Sequence, residues 1–179
     1  TISEQIGDKG AKAIGENTAW RNLKQLYLNS NQIGDEGAVA IGSNTTWVNL
    51  ECLYLQDNKI GDIGAIAIGK NTIWNRLVHL YLQKNKIGTA GGAVIGANES
   101  WIELEELQPM ERYENKIGDK EAKAIGENTA WRNLEQLFLC ENEIGDQGAT
   151  IIGQKTAWKN LKRIVMESNK DITEVGKKR

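Results

Sequence analysis

The amino-acid sequence predicts an α/β solenoid, curved like a horseshoe, with a parallel sheet on the concave side and helices on the convex side. Three observations predict it. Tryptophan recurs at 20, 47, 74, 101, 131 and 158, in steps of 27, 27, 27, 30 and 27 residues. Ile-Gly pairs keep the same rhythm, beginning at Ile6, Ile33, Ile60, Ile87, Ile117 and Ile144. The repeating unit reads L-x-x-L-x-L-x-x-N-x-I-G-D-x-G-A-x-A-I-G, in which a two-residue apolar alternation gives way to a helical one. A fixed period of this length means stacked units, none of which can bury its apolar face alone.

The elements follow in order along the unit. Leu26 and Leu28, repeated as Leu53/Leu55 and Leu80/Leu82, have the alternation of a short strand with one buried face. Ile-Gly-Asp then turns the chain, and Asp8, Asp35, Asp62, Asp119 and Asp146 stand where a helix N-cap is expected. From Gly10 to Gly15 the pattern is helical, with Gly10, Ala13 and Ile14 expected on the packed face. Asn17, Asn44, Asn71, Asn98 and Asn128 are expected to end the helices in a left-handed C-cap. The tryptophans read as a packing column between each helix and the following strand.

The pattern resembles the leucine-rich repeat family, in particular its ribonuclease-inhibitor-like class with one strand and one helix per unit, over residues 6 to about 172. The resemblance implies that Asn31, Asn58, Asn85, Asn115, Asn142 and Asn169 form the family's asparagine ladder, which satisfies backbone groups where the chain leaves the strand. It also implies a non-enzymatic binding module, as in the interaction domains of NOD-like innate immune receptors. A fold of this kind hosts many unrelated partners, so function must be argued from the faces the repeat leaves free.

Composition narrows the partners. A net charge of −2 and a pI near 5.6 exclude the broad basic surface of a nucleic-acid binder. No apolar run approaches the roughly 20 residues of a membrane span, so membrane insertion is not expected. Cys52 and Cys140 fall three strands apart, too far for a disulfide, and are expected as free, surface-facing thiols. That favours a cytoplasmic location. Against it, Asn44-Thr-Thr and Asn98-Glu-Ser match the glycosylation sequon of a secreted protein.

Residues 1–179 read as a single repeat domain, either a fragment of a longer array or one whose ends a partner covers, because neither end has a polar cap. The fourth unit departs from the rule. Pro109 takes the place of an inward leucine, and three extra residues precede Asn115. The strand is expected to stop near Gln108 and a loop to bulge from the sheet, offering Arg112 and Tyr113 as ligand contacts.

On the concave face one column runs Gln25, Cys52, His79, Glu106, Gln136, Arg163, and the next Tyr27, Tyr54, Tyr81, Gln108, Phe138, Val165. The consecutive tyrosines form an aromatic stripe suited to a binding hot spot, or else to cross-strand packing. Cys52, His79 and Glu106 have the order of a nucleophile, base and orienting carboxylate and could chelate zinc. An open face without oxyanion donors argues against catalysis and no metal or other cofactor is assigned. The expected ligand-binding residues are Tyr27, Tyr54, Tyr81, Gln25, Gln56, His79, Gln83, Arg112, Tyr113 and Phe138. A protein partner is expected, with a secreted glycan- or lipid-binding protein and a structural spacer array as alternatives. On the helical side Val39, Ile63 and Ile66 with Ala93 form an apolar patch that offers a homodimer contact, as do uncapped ends.

Overall fold

A computed structural model describes residues 5–108 and 117–169. Twelve elements alternate along the chain: α1 (Asp8–Gly15), β1 (Gln25–Tyr27), α2 (Asp35–Gly42), β2 (Cys52–Tyr54), α3 (Asp62–Gly69), β3 (His79–Tyr81), α4 (Thr89–Gly96), β4 (Glu106–Gln108), α5 (Asp119–Glu127), β5 (Gln136–Phe138), α6 (Asp146–Gly153) and β6 (Arg163–Val165). The strands form one parallel sheet in sequence order, β1 to β6. Its register pairs each residue with the one a period away, Gln25 with Cys52, Leu26 with Leu53 and Tyr27 with Tyr54. The α/β solenoid that the 27-residue period predicts is the fold of the protein.

The core is a continuous column of inward leucines and isoleucines, including Leu53, Leu80, Leu107 and Leu137, closed on the helical side by Ala38, Ile41 and their equivalents. Trp47, Trp74, Trp101 and Trp131 are fully buried, so the tryptophan column packs as expected. The packed helix face includes the expected Gly10 and Ile14 positions and differs at one place, where the Ala11 position and not that of Ala13 faces the core. Gly37, Ala38, Ile41 and Gly42 are the buried residues of α2, while Ala13 of α1 is exposed. The helices approach so closely that a Cβ on Gly15 would lie 2.4 Å from the backbone carbon of Ala40. A side chain there would push two units apart.

Both sets of capping expectations are corrected. The N-cap is the glycine before the first helical residue, at Gly7, Gly34, Gly61, Gly88, Gly118 and Gly145, so the aspartates are the first residues of their helices and α4 starts with Thr89 instead. Asp8 instead reaches forward to the next unit, where its Oδ1 accepts from Gly34 N at 2.7 Å and from Gly37 N at 3.0 Å. The carboxylate thus caps its neighbour's helix, satisfying two N–H groups that a helix start leaves unpaired. Asp35, Asp62 and Asp119 do the same for α3, α4 and α6.

The C-terminal asparagines are not left-handed. Most helices end at a right-handed residue such as Glu16 or Ser43, one position earlier, and Asn128 is extended. Asn44 donates from Nδ2 to the carbonyls of Gly15 and Asn17 of the preceding unit, at 2.7 and 3.0 Å, while Oδ1 accepts from its own turn. The left-handed residues are Ser30, Asp57, Lys84, Glu141 and Ser168, just before the asparagine that leaves each strand. That asparagine forms the expected ladder: Asn58 donates to Leu28 O and Leu55 O and accepts from Ile33 N. Asn115 lies outside the described residues.

Candidate functional site on the concave face

Parallel register carries same-phase side chains into contact. Tyr27 and Tyr54 stack face to face, centroids 4.5 Å apart and planes 4° from parallel. Tyr81 meets Tyr54 edge-on at 4.6 Å. The offset or T-shaped contacts favoured by the ring quadrupole lock the three into one aromatic body. Tyr27 at its open end is 58% exposed, while Tyr54 and Tyr81 are half-buried.

The far end of the stripe is anchored by a carboxylate. The Tyr81 hydroxyl donates to Glu106 Oε2 at 2.6 Å, and Gln108 Nε2 donates to Glu106 Oε1. Gln83 then donates to Gln108 Oε1 at 3.1 Å. Glu106 itself is buried. At the other end Tyr27 donates to Gln25 Oε1 at 3.2 Å. A hydrogen-bonded and stacked chain therefore runs from Gln25 across four strands to Gln83 and Gln108. Burial, followed by the bond to Glu106 and its charge, raises the Tyr81 phenol pKa above its ordinary value. Burial also pushes Tyr54 up to about 12, with the neighbouring Cys52 and Tyr27 adding to it.

Cys52, His79 and Glu106 do sit on adjacent strands in register. They do not form a catalytic relay. Cys52 is buried and shares its side-chain hydrogen bond with Tyr54, and burial raises its pKa, which disfavours the nucleophilic thiolate. His79 Nδ1 stands 3.5 Å from Glu106 Oε2, a charge proximity without hydrogen-bond geometry. The zinc-chelating arrangement is corrected too: among the described residues no three histidine, cysteine or acidic side chains converge to hold a metal.

Several sequence expectations change here. Neither Cys52 nor Cys140 is in a disulfide, but both are buried, each 6% exposed, so the surface-facing thiols that favoured a cytoplasmic location do not exist. Phe138, expected as a ligand contact, is only 8% exposed because the Arg163 guanidinium lies over its ring at 5.1 Å. Asn44 and Asn98 are also buried with their amide nitrogens engaged, so neither sequon can carry a glycan in the folded protein. Gln25 is exposed, and Gln56, His79 and Gln83 are half-buried beside the stripe. Arg112 and Tyr113 lie outside the described residues. On the helical side Ile63 is 66% exposed, whereas Val39 and Ile66 are half-buried.

Glu106 and Gln108, which organise Tyr81, were in the sequence columns but not among the expected ligand contacts. The signal is in the register: on the neighbouring strand Gln108 lies directly opposite Tyr81 and Glu106 one diagonal step from it. Among the described residues no helix is long and apolar enough to cross a membrane.

Comparison with known proteins agrees with this architecture. The leucine-rich repeat family model matches residues 21–42, 48–69 and 76–96. Three of the six strand–helix units thus match that family model, and the whole chain has the fold of a leucine-rich repeat solenoid. Among solved structures, an internalin (inlF) from Listeria monocytogenes is similar at 22% identity and a TM-score of 0.58, over 92% of this chain and 46% of the internalin. The ectodomain of the receptor kinase SOBIR1 from Arabidopsis thaliana is similar at 19% identity and a TM-score of 0.49, over 82% of this chain and 71% of that one. This chain therefore spans less than half of the internalin's length. A comparison with curated protein sequences finds no match.

Proposed function

We propose that the protein is a non-enzymatic recognition module that binds a protein partner on its concave face, of the ribonuclease-inhibitor-like class and in the manner of innate immune receptor domains. The observation that carries this reading is the ordered stripe of Tyr27, Tyr54 and Tyr81, open at Tyr27 and anchored at Glu106. Stiff aromatic area with a hydroxyl at its rim is the surface that binding hot spots use, and prior ordering reduces the entropy lost on association. Gln25, Gln56, His79 and Gln83 supply polar contacts around it. The secreted, glycan-binding alternative loses its sequon support with the burial of Asn44 and Asn98.

The test is selection of a displayed random-peptide library on the immobilised chain. Tyr27→Ala removes the most exposed ring, and Glu106→Gln loosens Tyr81 while leaving every ring in place. Selected binders should lose at least tenfold in affinity on Tyr27→Ala, a change of about 1.4 kcal/mol. Binders that hold equally well to both variants would sink the reading.

A further inference from the structure

The side-chain amides beside the tyrosine stripe have a direction, and the carboxylate at their root sets it. As a carboxylate Glu106 can only accept, so Gln108 must turn its Nε2 to Glu106 Oε1. Gln108 Oε1 then faces Gln83, which answers with its own Nε2 at 3.1 Å. The Oε1 of Gln83 is left over, buried and without a donor, as is Oε1 of its counterpart one unit earlier, Gln56. Turning Gln83 over does not cure this, since two oxygens would then meet.

Glu106 is short of a partner in a second way. It is buried, and the groups that donate to it, the Tyr81 hydroxyl at 2.6 Å and Gln108 Nε2, are neutral. His79 Nδ1 at 3.5 Å makes no hydrogen bond. Among the described residues no lysine or arginine pairs with Glu106. Of the outward residues of β1 to β4, Glu106 alone carries a formal charge while His79 is neutral. A charge held out of water without a counter-charge is costly, and a partner that brings the opposite charge recovers that cost. The Glu106 side chain keeps 12% exposure, so the carboxylate is open to the concave surface.

The stripe also changes direction beside this carboxylate. Tyr54 lies parallel to Tyr27, but Tyr81 stands at 89° to Tyr54. Tyr54 spends one face on Tyr27 and turns the other to the edge of Tyr81, so the stripe uses neither face of Tyr81. A ring face next to a carboxylate attracts a flat cation. The chain shows this chemistry one block further on, where the Arg163 guanidinium lies over the Phe138 ring at 5.1 Å. Phe138 stands in the same column as Tyr81, and Arg163 in the same column as Glu106. Thus β5 and β6 supply ring and cation together, whereas β3 and β4 supply the ring and an anion that lacks its cation.

We propose that the concave face recognises an arginine side chain of its protein partner, the guanidinium lying on the Tyr81 ring and donating to Glu106. Arginine rather than lysine follows from its planar fork, which stacks on a ring while its N–H groups meet several acceptors. The assignment rests on the concave-face reading above and names the chemistry of the partner.

The test uses binders selected from the displayed peptide library on the whole chain. Those that weaken on Tyr27→Ala should share an arginine. Citrulline in its place, which keeps the shape and removes the charge, should weaken them roughly tenfold or more, and lysine should not restore them. Glu106→Gln should weaken the arginine binders by a similar factor and leave their citrulline forms within about twofold, because both changes remove one contact. Tyr81→Phe loosens the anchor of the stripe but keeps the carboxylate, and should cost far less than Glu106→Gln. The citrulline arm leaves the protein unaltered, so it decides even where Glu106→Gln fails to fold. Tyr27-dependent binders without a shared arginine, or a citrulline loss undiminished in Glu106→Gln, overturn the arginine proposal and leave the concave-face reading standing. Binders indifferent to both Tyr27→Ala and Glu106→Gln overturn the two together.

Discussion

At the scale of single residues, the aspartates and tyrosines show how a repeat turns one side chain into a contact between units. Asp8 is spent on Gly34 and Gly37, so Gly37→Glu brings its new side chain onto both a carboxylate and the Ala11 methyl. Overpacking of that kind costs about 1–3 kcal/mol. The triple variant Asp8→Thr, Ala11→Gly, Gly37→Glu copies the Thr89/Gly92/Glu121 arrangement and should recover most of the loss in a urea melt. The tyrosines make a pH prediction. Tyr54 is held neutral to about 12, above the ordinary value of 10, so the folded state retains a proton that the unfolded state releases first. Its contribution to stability is complete below pH 10 and disappears as pH rises from 10 towards 12. Denaturant melts at pH 9 and 11.5 should differ less for Tyr54→Phe than for the parent chain.

At the scale of elements, the strands and the tryptophan column were legible because their cause is local and repeated. Leu26/Leu28 alternate within three residues, and every copy says the same thing. The asparagines were half legible. Asn58 was placed in a ladder correctly, whereas Asn44 was assigned a local left-handed cap when its amide serves carbonyls 27 and 29 residues away. Residue type cannot separate a local hydrogen bond from one a whole period distant. Nor did Ser30, Asp57, Lys84 or Glu141 share any feature that marks a positive φ. The carboxylate at Glu106 was missed for a related reason, since its task is defined by Tyr81 on another strand. The ladder itself is testable. Asn58→Ala leaves Ile33 N without its acceptor in the interior, while Leu28 O keeps Asn31 and Leu55 O keeps Asn85, and the change should cost roughly 1–3 kcal/mol in a denaturant melt.

At the scale of the whole molecule, stability in a solenoid is a sum of units and the interfaces between them, so its weakest junction decides how it comes apart. Four of the five helix junctions carry an aspartate from one unit clamped on the two N–H groups of the next. The α4–α5 junction lacks this clamp, because Thr89 has no carboxylate and Glu121 caps its own helix. α4 also carries Gly92 where the other helices have alanine, at a cost of about 0.5–1 kcal/mol of helix stability. Units one to four should therefore exchange amide hydrogens as one cooperative block and units five and six as another, with the boundary between α4 and α5. Restoring the common rule with Thr89→Asp, Gly92→Ala and Glu121→Gly should join the blocks. The urea transition of the restored chain should then be sharper, with a larger m-value, and exchange in α5 should slow to match α3. If the parent chain already melts in a single transition with uniform exchange on both sides of α4, the aspartate clamp contributes capping to each helix but no coupling along the array.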